Sequence, residues 1–455
     1  MPLDSEKNLL PMARATPETP EAEDKERGFS PTPNSLKTVG VERTICVQEV
    51  DVSDDAYVMD PIAEKKLVRK IDIRIIPAMM AIHTLNFLAR ANIGNAKVLN
   101  ANNGHSLDET IHVTDKQYLD ALMIFFVAYS IFETPSNYML KRFFPSRWFA
   151  FLMLGWGAMV MILGGVQNFG GLVAVRFLLG AFEAGLFPGI IYFLTFWYPP
   201  HERASRTALI VTGASMGGAF GGSIAFGIGN LDGVKGIEAW RWLFILEGIP
   251  SVACAILVFF FFPDYPESAK WLSEEERKLS LHRLKGNSSS GHARISWAET
   301  EATLTDGRLY LHYLAYVSQC VPFSSISLFA PTIVAGLGYQ GLDAQLFTVP
   351  PFAIAFVVTV SVSRMADKYQ SWSLGSVIAL TMAGVSFLVQ VVTGALPPTA
   401  FKARYAMLCL ASSFTYSVNP CLLSWLTANL RNTSATTLAV ALNFTLGNIG
   451  QIIGK

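Results

Sequence analysis

The stretch RFLLGAFEAGLFPGIIYFLTFWYPPHERASR, from Arg176 to Arg206, decides the fold class. It is an apolar run of helix length that carries Arg176 and Glu183 and ends in a basic turn. The two residues are seven positions apart, almost two helical turns, so their side chains lie on nearly the same face, about 10 Å apart along the axis. Charged side chains inside a membrane-length segment are costly and usually face a water-filled path or a partner. The stretch therefore predicts a membrane transporter.

The composition of the whole chain is that of an integral membrane protein. Apolar residues make up 51% of it, charged residues only 15%, and the mean hydropathy is +0.36. A net charge of zero argues against a protein that binds nucleic acid. The five cysteines are far apart without metal-ligand spacing, which favours buried, inert thiols. No nucleotide motif, catalytic triad or metal cluster supports an enzyme, and we expect no cofactor.

Eleven apolar runs recur along the chain, each long enough to cross the hydrocarbon core of a bilayer. Lys and Arg cluster before the first run and in alternate loops after it, so the positive-inside rule places the N-terminus in the cytosol. The predicted spans are 74–98, 118–140, 148–166, 171–195, 205–229, 242–262, 309–333, 346–364, 373–392, 404–426 and 436–453.

One long polar segment divides these spans into six and five. We expect residues 1–64 to be a disordered cytosolic tail, 65–262 a six-helix bundle, 263–307 a cytosolic linker and 308–455 a five-helix bundle. In the linker, Ser273 and Glu276 have the spacing of a capping box and predict a helix start. We interpret the odd count as a truncated product of a 6+6 transporter, with an intact eleven-span protein as the alternative.

Small residues recur every four positions in the fifth span. The series predicts a helix face that packs closely against a neighbouring helix. The alternative is a phosphate loop, but that motif follows a strand and ends in a lysine, and neither is present around these glycines. The residues are Gly213, Gly217, Gly221, Ala225 and Gly229.

Several separate stretches resemble the anion:cation symporter family of the major facilitator superfamily, and within it the fungal allantoate/nicotinate permease-like group. Among them are NFLARANIGNAKV at 86–98, RFLLGAFEAGLFPG at 176–189, WRWLFILEGIP at 240–250 and FPDYPESAKWLSEEER at 262–277. The resemblance covers essentially 65–454. It implies an all-α integral membrane fold of two six-helix bundles, here with about eleven transmembrane helices and the last one missing.

The resemblance also implies roles for two charged residues, and Arg176 is expected to act on one of them. Arg90 is expected to bind the carboxylate of an anionic substrate, which a guanidinium can hold with two hydrogen bonds; snorkelling to the surface is the alternative. Glu183 is expected to take up and release the coupling proton, with a helix–helix hydrogen bond as the alternative. Arg176 could hold Glu183 ionised in one conformation and gate the outer mouth in the other. Relatives carry an Asp where this chain has Ala89, which concentrates proton coupling on Glu183.

The remaining predicted site residues are polar groups of the second half. By resemblance, Asp367 and Lys368 hold the inner gate at the cytosolic end of the eighth span. Polar side chains inside the later spans are candidate substrate contacts, although membrane helices often use such groups only to bond a neighbour. These candidates are Gln319, Ser324, Ser325 and Asn419.

Together these features predict a multi-pass plasma membrane transporter that takes up a small organic anion with protons, by alternating access at a midplane site. The substrate class is a vitamin-like or nitrogen-containing carboxylate. The expected partners are that anion, the proton and the lipid bilayer, with no nucleic acid and a monomeric state that the sequence does not determine. Two alternatives stay open: a metabolite exporter or facilitator, and a membrane sensor or interaction protein that transports nothing.

Overall fold

The computed structural model describes residues 60–284, 301, 303–339, 342–394, 401–429 and 433–454. Most of the predicted tail and the middle of the predicted linker lie outside these residues. Within them the chain is α-helical with short 3-10 turns and contains no β-strand. The predicted all-α fold class is confirmed.

Sixteen α-helices are described, and they are numbered here in chain order. They are α1 (Pro61–Val98), α2 (Leu107–Thr110), α3 (Asp115–Arg142), α4 (Pro145–Leu163), α5 (Phe169–Glu183), α6 (Leu186–Leu194), α7 (Pro200–Val211), α8 (Gly213–Gly229), α9 (Ala239–Phe261), α10 (Glu274–Leu284), α11 (Gly307–Gly336), α12 (Leu342–Leu346), α13 (Val349–Lys368), α14 (Trp372–Gly394), α15 (Phe401–Asn429) and α16 (Thr433–Ile453).

The described part of the chain contains ten helical segments that are long and apolar enough to cross a membrane. This number fits a multi-pass integral membrane protein. Three of them combine two helices: α5 with α6, α7 with α8, and α12 with α13. The eleventh predicted span, 436–453, corresponds to α16, whose apolar part, Leu438–Ile453, is shorter. Six of the ten precede α10.

The first helix begins well before the predicted span. The prediction started at position 74, where the apolar run begins, whereas α1 starts at Pro61. Asp60 caps it by accepting a hydrogen bond from the Ile62 N–H, and proline suits the first helical turn. Leu67 and Ile71 in this extension are buried, so tertiary packing continues the helix beyond the apolar run.

The predicted linker helix is present as α10. Its capping box is complete: Ser273 N–H donates to Glu276 Oε2 at 2.9 Å, and Glu276 N–H donates to Ser273 Oγ at 3.2 Å. Arg283, only 3% exposed, forms ion pairs with Glu64 of α1 and Glu202 of α7. The linker helix is therefore docked on the starts of two membrane spans.

Several pairs of helices join the six spans before the linker to the spans after it, among them α1 with α11, α8 with α13, α3 with α16 and α7 with α15. The glycine face of α8 packs on α1, as predicted: a Cβ on Gly217 would lie 3.0 Å from the carbonyl oxygen of Thr84. Gly94 allows the approach of α1 to α11, because a Cβ there would clash with the carbonyl oxygen of Leu328.

We predict that Gly94→Ala lowers the free energy of unfolding by about 1–3 kcal/mol, because the added methyl group meets backbone that cannot rotate away. Gly227→Ala is the matched control: nothing lies within 4 Å of its Cβ, so helix propensity gives a gain of up to about 1 kcal/mol. Thermal melting of both variants in detergent checks this. Equal melting temperatures for the two would contradict the close α1–α11 contact.

On the face of the bundle opposite the linker helix, two connecting segments are joined by one ion pair. His105 Nδ1 lies 2.6 Å from Asp232 Oδ2, and Asp232 Oδ1 accepts a hydrogen bond from the Ala239 N–H at 3.0 Å. The pKa of His105 is raised, mainly by the hydrogen bond to the Asp232 carboxylate and secondly by the negative charge of that carboxylate. The pair links the segment after α1 to the segment after α8.

A pH dependence of these two segments follows. Since the folded pKa of His105 is raised, the pair stabilises the segments fully below the ordinary histidine pKa of about 6.5, and that stabilisation is lost as pH rises through the raised value. We predict faster hydrogen exchange in 99–114 and 230–238 at alkaline than at mildly acidic pH, after correction for intrinsic rates. Asp232→Asn should remove the difference, and its persistence in that variant would contradict the assignment.

Candidate functional site

A buried ion pair joins the first span to the fourth. Arg90 of α1 donates to Glu183 Oε2 of α5 from Nη2 at 3.2 Å and from Nε at 3.3 Å. The Glu183 side chain is completely buried, and that of Arg90 is 15% exposed. Asn86, one turn before Arg90, is also buried. The predicted proton carrier and the predicted substrate arginine are thus bonded to each other.

Glycines in the fourth span let it approach α3 closely, and this approach positions Glu183. A Cβ on Gly180 would clash with the carbonyl oxygen of Phe125, and one on Gly185 would clash with Ser136 Oγ. The span therefore lies against α3 closely enough for backbone contact. Helix α5 ends at Glu183 and α6 begins at Leu186, so the carboxylate lies at an interruption of the span.

Aromatic rings of α3 surround the Arg90 guanidinium. Its central carbon lies 5.3 Å from the ring centre of Phe125, 5.8 Å from that of Phe126 and 5.1 Å from that of Tyr129. Aromatic faces attract cations, and the attraction is stronger where water is excluded. These rings keep the guanidinium in place on the sides that Glu183 does not occupy.

Arg176 is the second buried arginine, and the structure does not pair it with Glu183. It is 1% exposed and lies on α5, with its central carbon 6.0 Å from the Phe125 ring centre. Its Nε and Nη2 groups have no hydrogen-bond partner among the described residues. Its influence on Glu183 is limited to longer-range charge interaction. The site thus contains two guanidiniums and one carboxylate, a net charge of +1 when all are ionised.

The polar residues predicted to contact substrate in the second half mostly bond to neighbouring helices. Gln319 Nε2 donates to the Thr415 carbonyl at 3.1 Å, and Ser324 Oγ donates to the Gln451 carbonyl at 3.0 Å. Ser325 Oγ donates to Gly454. Gln319 Oε1 and Asn419 Oδ1 are buried, and neither has a hydrogen-bond partner in the described part of the chain. Those two oxygens remain available to a ligand.

The predicted gate residues lie at the end of α13. Asp367 Oδ1 accepts a hydrogen bond from Trp372 Nε1 at 2.7 Å, and Lys368 Nζ lies 5.5 Å from the Tyr369 ring centre. Both contacts are local, because Trp372 and Tyr369 lie in or next to the turn that joins α13 to α14. The gate role stays a prediction.

Sequence reasoning missed two buried carboxylates. Glu133 of α3 is 1% exposed and Glu247 of α9 is 4% exposed. Both lie inside predicted spans, 118–140 and 242–262, so the signal that singled out Glu183 was present for them as well. Glu133 lies one helical turn after Tyr129 and accepts hydrogen bonds from α16.

Comparison with known proteins decides the family. The profile of the Major Facilitator Superfamily matches residues 79–454. The chain belongs to the Major Facilitator Superfamily. Members of this superfamily are transporters, so the expectation of a transporter rather than an enzyme is confirmed.

Relatives in this superfamily are similar over most of the chain. MFS transporter prlL from a fungal species is 50% identical over 394 residues, which cover 86% of this chain and 79% of the relative. MFS-type transporter cnsO from Penicillium expansum is 33% identical over 85% of this chain and 75% of its own. A putative tartrate transporter from Agrobacterium vitis is 31% identical over 86% of this chain and 87% of its own.

Solved superfamily structures share the fold. A bacterial homologue of the human lysosomal transporter Spinster, in an inward-facing conformation, gives a TM-score of 0.62 at 17% identity, over 87% of this chain and 81% of that one. The xylose transporter XylE from E. coli gives a TM-score of 0.60 at 17% identity, over 83% of this chain and 89% of that one. At this identity the likeness is one of fold.

Replacement of the two arginines by methionine should have different effects on the free energy of unfolding. Arg90→Met leaves Glu183 buried without a cation and should lower the free energy of unfolding by about 3–5 kcal/mol at pH 8. Arg176→Met removes a buried, unpaired charge and should leave stability unchanged or raise it. Thermal melting of both proteins without added carboxylates checks this. A large loss in Arg176→Met would show that this arginine is paired within the protein.

Proposed function

We propose that this transporter carries a small organic anion together with a proton. The observation that carries the proposal is Arg176, a buried guanidinium in which two nitrogens, Nε and Nη2, have no hydrogen-bond partner among the described residues. It lies beside an arginine whose carboxylate partner is already present. A carboxylate substrate would accept those hydrogen bonds and offset the charge of Arg176. The aromatic residues beside the two arginines would contact the apolar part of such a substrate.

Proton coupling follows from competition for Arg90. When the substrate carboxylate held by Arg176 also accepts a hydrogen bond from the Arg90 guanidinium, it displaces Glu183. Glu183 is then buried without a cation, and a buried carboxylate in that state takes up a proton. Substrate binding and protonation of Glu183 therefore favour each other. A carrier with that linkage moves both in the same direction, which is symport.

The substrate class that we propose is a vitamin-like or nitrogen-containing carboxylate, within the anion:cation symporter family and its allantoate/nicotinate permease-like group. The relative from Agrobacterium vitis, a putative tartrate transporter, supports an anionic substrate. We further propose a plasma membrane protein with a cytosolic N-terminus, acting as a monomer. In the alternating-access cycle Arg176 gates the outer mouth, and Asp367 with Lys368 holds the inner gate.

Uptake into proteoliposomes tests this function with labelled tartrate, nicotinate and allantoate as probes. We expect acid outside to drive accumulation of at least one probe in the wild type. Arg176→Gln should reduce its uptake by about 10–100-fold, since a charged hydrogen bond contributes about 1.5–3 kcal/mol. Arg147→Gln, at an exposed arginine, is the matched control and should transport normally.

Glu183→Gln separates coupling from binding in the same assay. We expect this variant to lose proton-driven accumulation but to keep exchange of internal for external anion, because exchange requires no release of a proton. Accumulation that remains pH-dependent in Glu183→Gln would contradict its coupling role. Wild-type flux without a response to the proton gradient would indicate a facilitator or exporter, and binding without any flux would indicate a sensor.

A further inference from the structure

A second carboxylate is buried where the two halves of the molecule meet. Glu133 of α3 is 1% exposed. Its Oε2 accepts hydrogen bonds from Asn448 Nδ2 at 3.3 Å and from Thr445 Oγ1 at 3.4 Å, both on α16. Its Oε1 is buried and has no hydrogen-bond partner among the described residues. Both partners of Glu133 therefore come from the other half of the protein.

The helices around Glu133 provide no neutralising cation at this position. Helix α16 contains no titratable residue, α6 contains only Tyr192, and the one charged residue of α4 is Arg147 at its exposed start. Tyr316 of α11 lies close enough to interact with the carboxyl group.

The charged groups of the central site approach Glu133 from α1 and α5. Arg90 is held by Glu183 and lies against the ring of Tyr129, one helical turn before Glu133. Arg176 lies on α5, almost two helical turns before Glu183, against the ring of Phe125. No Lys, Arg or His of the described residues forms an ion pair with Glu133, whose hydrogen-bond partners are uncharged.

The surroundings of Glu133 favour a neutral carboxyl group. Burying a carboxylate ion without a cation is costly. Both hydrogen bonds to Oε2 come from uncharged donors, and Oε1, which accepts none from the described residues, is the oxygen that carries the proton.

We propose that Glu133 is a second proton-binding residue of the transport cycle. It carries a proton while α3 and α16 are in contact, and it ionises when the halves part there and water reaches it. Protonation of Glu133 and closure of this contact therefore favour each other. The coupling to transport rests on the proposed function, whereas proton binding at this contact does not.

Glu247 provides an internal comparison. It is also buried, and neither carboxyl oxygen has a hydrogen-bond partner among the described residues. Its helix α9 packs mainly against α4, α1 and α8, all within the first half. Parting of the halves would not expose it, so its protonation should be independent of that movement.

Infrared spectroscopy of the full chain in lipid nanodiscs tests proton binding without any substrate. The carbonyl stretch of a protonated carboxyl group is separate from the bands of a carboxylate. We expect Glu133→Gln to lose one such band, which in the wild type disappears as pH is raised, while Glu183→Gln and Glu247→Gln keep it. Wild-type and Glu133→Gln spectra that agree at every pH would overturn the proposal.

A distance measurement tests the link to movement. Spin labels at the exposed positions Arg142 and Ala428, in a chain whose native cysteines are replaced by alanine, report separation near the ends of α3 and α15. We expect the wild type to shift toward longer distances as pH rises and Glu133→Gln to keep the shorter distance. The same pH dependence in both would overturn the coupling of Glu133 to this contact.

A second variant keeps the carboxyl group and changes only its donors. Asn448→Leu removes the amide that would stabilise the ionised form, so the Glu133 band and the short distance should persist to higher pH than in the wild type. No shift in either would count against the proposal. These readouts need no anion, so failure of anion transport with an intact Glu133 band would refute the proposed function and not the proton site.

Discussion

Three buried ionisable groups in a medium that solvates charge poorly impose the main constraint on this molecule. The Arg90–Glu183 pair satisfies two of them. Arg176 is left with an unpaired charge and two nitrogens, Nε and Nη2, whose N–H groups have no acceptor in the described part of the chain. A buried, unpaired cation is unfavourable for folding. Its retention makes sense in a protein that pairs this cation with an anion from solution, and the transport proposal follows from the unpaired arginine.

Glycines at helix contacts bring these groups together. Gly180 and Gly185 let the fourth span approach α3, which places Glu183 beside the aromatic residues that surround Arg90. Gly94 and the glycine face of α8 let α1 pack closely between α8 of its own half and α11 of the other, so the helix that carries Arg90 lies at the contact between halves. A change in the contact between halves would therefore act directly on the arginine of the site. The same holds for Glu133, whose hydrogen-bond partners are all on α16.

The sequence predicted much of the fold because its signals are local. Membrane-length apolar runs, the capping box at Ser273 and the glycine spacing of α8 each depend on residues close together in the chain, and each is confirmed. The start of α1 was predicted too late, because packing of Leu67 and Ile71 extends that helix beyond the apolar run.

Side-chain partners were harder to predict, since they depend on which helices approach one another. The periodicity of α5 placed Arg176 and Glu183 on one face, but it did not show that Arg90 of α1 would pair with Glu183. Glu133 and Glu247 lie in apolar runs as Glu183 does, yet only the structure shows that Glu133 lies at the contact between halves. The pattern identifies costly charges, and their neighbours determine what those charges can do.

The most direct test of the central claim is a cryo-electron microscopy structure of the full chain with a bound carboxylate such as tartrate. The account predicts density for a carboxylate group within hydrogen-bond distance of Arg176 Nε and Nη2, with Phe125 alongside. Density elsewhere in the molecule, with the same two nitrogens bonded to protein groups, would contradict it.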